Sequence, residues 1–417
     1  MSDPLDLHLT ERQRALYRRT LTLATDTLAG IAAAGEPDRV NRPLVRALGE
    51  HGLLARLLAA GGQADAGRPP EEPAGSGPPE EPAGSGPPEG PAGGVSAIDL
   101  CLIREALARG CTEAETAFAL QGLGAHPILT AGAPELRARW IPPVVDGSAV
   151  AAFALTEPGA GSDPAALSLR AERDGDGWRL AGEKLWISNA PEADIYTVFA
   201  RTDPDARGAR GLTAFAIPGD APGLRGEPRQ LLSPHAIGSL TFDDVPAGPE
   251  QVLGAVGEGF GVAMRTLDLF RPSVGAFAIG MARAALGLAT GHALRRRTFG
   301  RPLSEHQAVA HRLAQLHAET EAARLLVHRA AIAHDRGAGS ASLAAMAKLL
   351  ATEVAQAAVD AAVQFHGAAA LERGHPLEHL YREVRAPRIY EGASEIQREI
   401  IARAMFRAAA GGSESAA

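Results

Sequence analysis

The hydrophobic pattern of this 417-residue chain changes its period twice, and these changes constrain the fold more than any other sequence feature. Before residue 150, apolar residues recur at helical spacing, which predicts an N-terminal all-helical domain over residues 1–149. The helical segments in this part are residues 9–35, 41–59, 96–109, 113–122 and 134–146. Between residues 150 and 258 the apolar runs become short and extended, and from Gly259 onward the helical spacing returns. The sequence therefore predicts an α+β multidomain protein whose parts follow one another as helices, strands and helices.

The middle part carries the signals of a small antiparallel sheet. Residues 167–173 and 178–188 are extended runs joined by the Asp-Gly-Asp-Gly sequence at 174–177, which is typical of a hairpin turn. Further runs follow at 195–201, 212–217 and 239–242. These signals fit a small antiparallel barrel or sandwich, and we assign an antiparallel β-barrel to residues 150–258.

The C-terminal part contains four long, alanine-rich, periodic segments. They are residues 261–297, 304–336, 341–370 and 384–409, with glycine-containing breaks between them. Four such helices predict an antiparallel four-helix bundle over residues 259–409, followed by a tail at 410–417.

One segment of the N-terminal part cannot contribute to a core. Residues 69–94 repeat a nine-residue sequence of proline, glycine and glutamate, with a degenerate third copy. This composition has too few apolar side chains to offset the entropy of ordering. We therefore expect residues 61–94 to form a disordered insert between two helices.

Composition excludes several classes of function. The net charge is −8 and the sequence contains no basic stripe, so neither a nucleic acid nor a membrane surface is an expected partner. The N-terminus lacks a signal sequence and no apolar run has membrane-spanning length. Cys101 and Cys111 fall on different faces of a probable helix, so we expect free thiols and a cytoplasmic location.

Two motifs in the middle part suit a bound electron carrier. The string FALTEPGAGSD at residues 153–163 combines glycines with the hydroxyls of Thr156 and Ser162, which suits a phosphate group. Further along, Trp186 and Ser188 lie two residues apart on a strand and face the same side, where they could flank a flavin ring. Read singly, the first motif is also compatible with a surface loop and Trp186 with a core tryptophan.

The helical parts carry four more candidate segments. Arg296 and Thr298 at a helix end suit a pyrophosphate, or simply the dipole of that helix. Gln364 and Gly367 could lie against an adenosine, although a helix C-cap explains Gly367 equally well. Asp268 and Arg271 either face a cleft or form a surface pair on one helix. The spacing of His375 and His379 gives no third ligand, so we predict no metal site.

Glu391 is the candidate of greatest interest. It lies in the string RIYEGASEIQR at residues 388–398, after Tyr390 and before a glycine. A lone carboxylate in this position could remove a proton from carbon, or could be a solvated surface group.

Taken in order, these strings resemble those of the acyl-CoA dehydrogenases. The matching blocks are ALTEPGAGSD, KLWISN, LFRP, RRRTFG with EHQ, and RIYEGASEIQREIIAR. They occur in the order and approximate spacing of that family, over nearly the whole chain outside the insert and the last few residues. The resemblance implies FAD as the cofactor, an acyl-CoA thioester as the substrate, a homotetramer or dimer, and a separate acceptor such as an electron-transfer flavoprotein.

The resemblance also implies roles for individual residues. Glu391 would be the catalytic base, which removes the substrate α-proton while FAD accepts the β-hydride and a trans-2-enoyl-CoA forms. Asp268, Arg271 and Tyr390 would line the substrate cleft. The implied cofactor-binding residues are Phe153, Leu155, Thr156, Ser162, Trp186, Ser188, Arg296, Thr298, Phe299, Gln307, Gln364 and Gly367. Those from Arg296 onward would reach the FAD of a neighbouring subunit.

The chain departs from the family pattern at three places. Alanines stand at 368 and 370 in place of glycines, and Ala393 replaces a threonine. The stretch LLSPHAIGSLTFDDV at 231–245 lacks the usual Gly-x-Arg-x-Ser pattern. Alternative functions on the same scaffold are an acyl-CoA oxidase, a dehydrogenase acting on a carrier-bound acyl thioester, and a non-catalytic flavin-binding protein.

Overall fold

A computed structural model describes residues 8–58, 95–206 and 208–413. The predicted insert at 61–94 lies outside the described residues. The helices before residue 150 are α1 (Glu11–Leu23), α2 (Ala29–Ala33), α3 (Arg42–Glu50), α4 (Leu53–Leu57), α5 (Ala97–Gly110), α6 (Thr112–Ala131) and α7 (Pro134–Val145), with a π-helical turn Ala24–Leu28 joining the first two. Thr10 and Gln13 form a capping box at the start of α1. The prediction of a helical N-terminal part is confirmed.

The middle domain is a mixed sheet with open edges. Its strands are β1 (Ala151–Ala154), β2 (Arg170–Asp174), β3 (Gly177–Ser188), β4 (Ile195–Arg201), β5 (Leu212–Pro218), β6 (Leu224–Pro228), β7 (Ile237–Ala247) and β8 (Val252–Leu253). They are ordered β6-β7-β3-β2-β4-β5-β8, and β1 pairs with β4 in parallel.

The predicted order of helices, sheet and helices is confirmed, but the antiparallel barrel is wrong in two respects. The path ends at β6 and β8, which do not pair with each other, and the β1–β4 and β2–β4 pairs are parallel. A physical reason lies in the two end strands. β8 has only two residues, and β6 is largely exposed and ends in Pro228, whose nitrogen cannot donate to a further strand.

The C-terminal domain consists of long helices with one irregular connection. Its elements are α8 (Gly259–Arg295), α9 (Gln307–Asp335), α10 (Ala341–His366), α11 (Pro376–Glu383) and α12 (Ser394–Ser413), and a two-stranded hairpin of β9 (Arg297–Thr298) and β10 (Arg301–Pro302) precedes α9. Three of the predicted helices are present with shifted ends. The predicted fourth helix at 384–409 begins ten residues late, at Ser394, because a 3₁₀ helix at Ala386–Arg388 and a turn with positive φ angles at Glu391 and Gly392 precede it.

Helices α8 and α10 are more apolar than the sequence analysis anticipated. Each contains a segment that is long and apolar enough to cross a membrane. Within the protein, 67% of the segment in α8 and 56% of the segment that begins with α10 is buried. Both are therefore core helices, made apolar by their alanines. α8 packs on α5, α9 and α10, so the N- and C-terminal helices share one core. A second apolar cluster fills the other side of the sheet.

Candidate active site

The turn between α11 and α12 presents Glu391 in an uncommon backbone conformation. Its φ is +50°, and that of Gly392 is +92°. A left-handed conformation is costly for a residue with a Cβ, so such a turn persists only when its surroundings fix it. Non-glycine residues held this way cluster at functional sites.

A buried lysine fixes the carbonyl groups on both sides of Glu391. Lys348, in the middle of α10, is completely buried, and its Nζ donates to Tyr390 O at 2.8 Å and to Gly392 O at 2.6 Å. Gln397 Nε2 donates to the same Gly392 carbonyl at 2.8 Å. The turn is therefore tied both to α10 and to the start of α12.

The carboxyl group of Glu391 has a buried oxygen atom and three positively charged side chains near it. Its Oε2 atom is inaccessible to solvent and has no hydrogen-bond partner among the described residues. Burial raises the pKa of Glu391, and the positive charges of Arg104, Lys348 and Arg271 offset part of this rise. An unpartnered carboxylate with a raised pKa is the arrangement that a general base requires.

The loop after β1 is joined to β3 by a second buried lysine. Lys184 Nζ donates to Glu157 Oε1 at 2.8 Å and to Leu155 O at 2.9 Å. Leu185 N also donates to Thr156 O at 3.0 Å. These bonds place the loop that contains Thr156 directly beside the strand segment that contains Trp186.

Strand β3 is irregular where it meets this loop. Its pairing with β7 shifts between Lys184 and Ile187, and Trp186 has a φ of +59°. Trp186 is 50% exposed and Ser188 half-buried, while Ile187 between them is buried. Trp186 and Ser188 thus lie on the accessible side of the strand.

The remaining candidates of the middle domain flank this surface. Phe153 on β1 is half-buried and packs on Phe199 with ring centroids 5.0 Å apart. Ser162 is exposed in the glycine-containing loop that follows. The structure thus brings Thr156, Trp186 and Ser188 to one accessible surface.

The hairpin of β9 and β10 has a large exposed aromatic residue at its tip. Phe299 and Gly300 have φ angles of +50° and +81°, the pattern of a type I′ turn, and Phe299 is 96% exposed. Thr298 Oγ1 lies 3.3 Å from His306 Nε2, and Gln307 is the first residue of α9. Arg296 ends α8 immediately before the hairpin.

The end of α10 lies next to this hairpin. Gly367 has a φ of +66° and ends the helix, one turn after Gln364. The ring of His366 stacks on that of His292, near the end of α8, with centroids 4.1 Å apart. Gln364, Gly367 and the hairpin residues therefore form a second group, at one end of the helical domain. In the part of the chain that the structure describes, no group of three metal-binding side chains occurs.

Arg271 forms the predicted pair with Asp268 and also lies close to Glu391. Its Nη1 donates to Asp268 Oδ1 at 3.0 Å on the same helix. Its charge also lowers the pKa of Glu391, and its buried Nε has no partner among the described residues. The structure therefore places Arg271 close to Glu391, which directly follows Tyr390 in the turn.

Comparison with known proteins agrees with this arrangement. Models of the acyl-CoA dehydrogenase N-terminal, middle and C-terminal domains match residues 83–148, 152–245 and 257–406. The short-chain specific acyl-CoA dehydrogenase of Bos taurus is 37% identical, over 95% of this chain and 90% of that protein. The chain belongs to the acyl-CoA dehydrogenase family.

Solved structures lead to the same family. Butyryl-CoA dehydrogenase from Megasphaera elsdenii superposes with a TM-score of 0.84 at 29% identity, over 96% of this chain and all of that one. The FAD complex of PigA superposes with a TM-score of 0.84 at 25% identity, over 96% of this chain and 99% of that one. The family predicted from the sequence is thus confirmed.

Beside Glu391, this acyl-CoA dehydrogenase has a buried polar cluster that sequence analysis missed. Arg104 Nε on α5 donates to Glu115 Oε1 on α6, and Arg104 Nη1 donates to Ser273 Oγ on α8 at 2.6 Å. Burial raises the pKa of Glu115 to about 7, although Arg104 opposes the rise. A charged pair among alanines and leucines was the available signal, but helix periodicity alone does not show which face is buried.

The loop that departs from the family pattern has its own attachment to the helical domain. His235 Nε2 lies 2.7 Å from Glu383 Oε2 at the end of α11, and Ser233 Oγ donates to Glu383 Oε1. Glu383 is buried. This contact fixes the middle domain against the helix that precedes the Glu391 turn.

Proposed function

We propose that this chain oxidises an acyl-CoA thioester to the trans-2-enoyl-CoA, with FAD as its cofactor and Glu391 as the α-proton base. Acyl-CoA dehydrogenation and the FAD cofactor agree with the family and with the flavin-bound relative. The observation that carries the assignment of the base is the buried, unpartnered Oε2 of Glu391 on a turn fixed by Lys348.

The described residues fit the cofactor. Trp186 is a large apolar side chain left half exposed beside the Thr156 loop, which suits the face and edge of a flavin ring. Leu155, Thr156, Ser162 and Ser188 would supply further contacts to it. Bound FAD would supply the acceptor for the β-hydride.

The protein residues perform the proton chemistry. Glu391 removes the α-proton, and its raised pKa makes it a stronger base than an ordinary glutamate. The negative charge that develops on the thioester oxygen needs a donor, and the backbone N–H of Glu391 is suited to this role. Within the described part of the chain this N–H makes no hydrogen bond.

Three further assignments belong to the proposal. Phe299, Arg296, Thr298, Gln307, Gln364 and Gly367 would contact the cofactor of a neighbouring subunit, in a homotetramer or dimer. The exposure of Phe299 supports the contact with a neighbouring subunit, since a large aromatic side chain in water gains no stabilisation within its own subunit. The electron acceptor would be a separate electron-transfer flavoprotein, in the cytoplasm.

The acyl group is a short chain in this proposal. The bovine relative is short-chain specific, and here the buried Arg104–Glu115 pair stands beside the base.

Anaerobic mixing with a panel of short, branched, medium and aromatic acyl-CoAs tests the activity, with one acyl-carrier thioester included. We expect rapid flavin bleaching with short acyl-CoAs and product identified as the trans-2-enoyl thioester. Bleaching by the carrier thioester alone, or oxygen consumption matching turnover in air, would favour the carrier-dependent or oxidase alternatives. A flavoprotein that no thioester bleaches would be a non-catalytic binder.

A further inference from the structure

We infer that Lys348 is a positioning residue that orients both the catalytic base and the backbone donor for the thioester oxygen. The inference rests on the proposed function, because it assigns a role to Glu391 and to its N–H. The evidence is the pair of hydrogen bonds from one buried ammonium group to Tyr390 O and Gly392 O.

The first step concerns the peptide group between Tyr390 and Glu391. A trans peptide is planar, so its C=O and N–H point in opposite directions. Lys348 holds the carbonyl of this peptide toward α10. The N–H of Glu391 therefore points away from α10, and it is left without an acceptor among the described residues.

The second step concerns the side chain of Glu391. Its direction from the backbone depends on φ, and the φ of +50° is not one that glutamate adopts without support. Lys348 bonds to the carbonyls of Tyr390 and Gly392, the residues before and after Glu391. Rotation of the peptide group that begins with either carbonyl would break a bond to a buried charge. One side chain thereby fixes the base and the donor in a single relative orientation.

The third step concerns where the ammonium group directs its hydrogen bonds. Lys348 bonds to carbonyl oxygens and not to the carboxylate of Glu391, whose Oε2 remains unpartnered. A direct ion pair would hold the carboxylate in its charged form and make it a weaker base. The arrangement lets Lys348 fix the backbone while the carboxylate stays free to accept a proton.

The test compares Lys348→Met with Glu391→Gln and with a control on the same helix. Thr352→Val is the matched control, since Thr352 is also fully buried on α10 but donates only to its own helix. Turnover is measured together with the infrared carbonyl stretch of bound trans-2-enoyl-CoA labelled with ¹³C at the thioester carbon. A lowered stretch reports a donor at the thioester oxygen.

We expect the carbonyl stretch to be lowered in the parent enzyme, in Glu391→Gln and in Thr352→Val, because all three keep the Glu391 N–H in place. Lys348→Met should lose most of this shift and about 10²-fold in turnover, the size of effect that follows a displacement near 1 Å. Glu391→Gln should lose turnover alone. This contrast separates positioning of the donor from loss of the base.

Lys348→Gln provides a second test in case Lys348→Met does not fold, since glutamine is neutral but keeps a donor for one carbonyl. We expect it to retain FAD and to show an intermediate carbonyl shift. A Lys348→Met protein with bound FAD and an unchanged shift would overturn the inference, and so would a Lys348→Gln protein that cannot hold FAD. Absence of the shift in the parent enzyme would instead contradict the thioester contact in the proposed function.

Discussion

The two sides of the site are each held by one buried lysine, and the two lysines are compensated differently. Lys184 fixes the loop beside Trp186, and Lys348 fixes the turn that contains Glu391. Burial lowers the pKa of both to about 8. Lys184 bonds to a carboxylate, that of Glu157, whereas Lys348 bonds only to carbonyl groups of the turn.

The difference follows from what each side has to do. The loop near Trp186 needs only a fixed shape, so a neutralised ion pair serves it. In the proposed mechanism the carboxylate of Glu391 gains and loses a proton, and a carboxylate bonded to the lysine could not do so freely. A lysine that bonds to carbonyl oxygens gives rigidity and leaves the base without a partner.

The largest expected effect comes from changing Glu391, the proposed base. Glu391→Gln keeps the volume and the backbone of the turn but cannot accept the α-proton, so turnover should fall by ~10²–10⁴ or more. Flavin content should be unchanged, and bound substrate should still perturb the flavin spectrum. Glu395→Gln is the control, because Glu395 is the neighbouring exposed carboxylate. Near-normal bleaching by Glu391→Gln would place the base elsewhere.

Removing the other lysine should damage stability rather than the proton chemistry. Lys184→Met leaves the carboxylate of Glu157 buried without its counter-charge, and breaking a buried pair in this way costs about 3–5 kcal/mol. We expect a lower melting temperature and weaker retention of FAD, measured by calorimetry and flavin release. The double change Lys184→Met with Glu157→Gln should recover part of the loss. Equal stability of the single variant and the parent would show that the pair is not needed.

This contrast was only partly predictable from the sequence. The order of helices, sheet and helices follows from the hydrophobic period, which is set locally. Closure of the sheet was predicted wrongly, because it depends on which edge strands meet and not on any single strand. The turn at 384–393 was read as helix, since its apolar spacing resembles one while Gly392 and the positive φ of Glu391 decide otherwise.

The residues that support the site were harder to find than those that form it. The strings around Thr156, Trp186 and Glu391 carry distinctive residue types, so they stand out in a sequence. Lys348 is one lysine in an alanine-rich helix, and its partners lie 42 and 44 residues away. Its role arises from tertiary packing, which helical periodicity does not reveal.

The pH dependence of kcat/KM tests the environment of Glu391 directly. Because burial raises the pKa of Glu391, its protonated form persists above the ordinary glutamate value of 4.5. The base acts only when deprotonated, so kcat/KM should rise with pH and its acid limb should have a midpoint above 4.5. Steady-state rates between pH 4 and 8 measure this limb. A midpoint at or below 4.5 would mean that the three nearby cations outweigh burial.

The smallest expected effect on the isolated subunit comes from changing Phe299 at the tip of the hairpin. This change tests the proposed contact with a neighbouring subunit without altering the turn that contains Glu391. Phe299 is 96% exposed, so Phe299→Ala should change the subunit's own stability by less than about 0.5 kcal/mol. If the tip contacts a neighbour's cofactor, the same change should weaken assembly and speed the release of FAD, seen by sedimentation and flavin fluorescence. Val256→Ala, at another exposed apolar residue, should change neither. An unaltered oligomer with unaltered FAD affinity would remove Phe299 from the cofactor site, while the roles of Lys348 and Glu391, which depend on contacts within one chain, would stand.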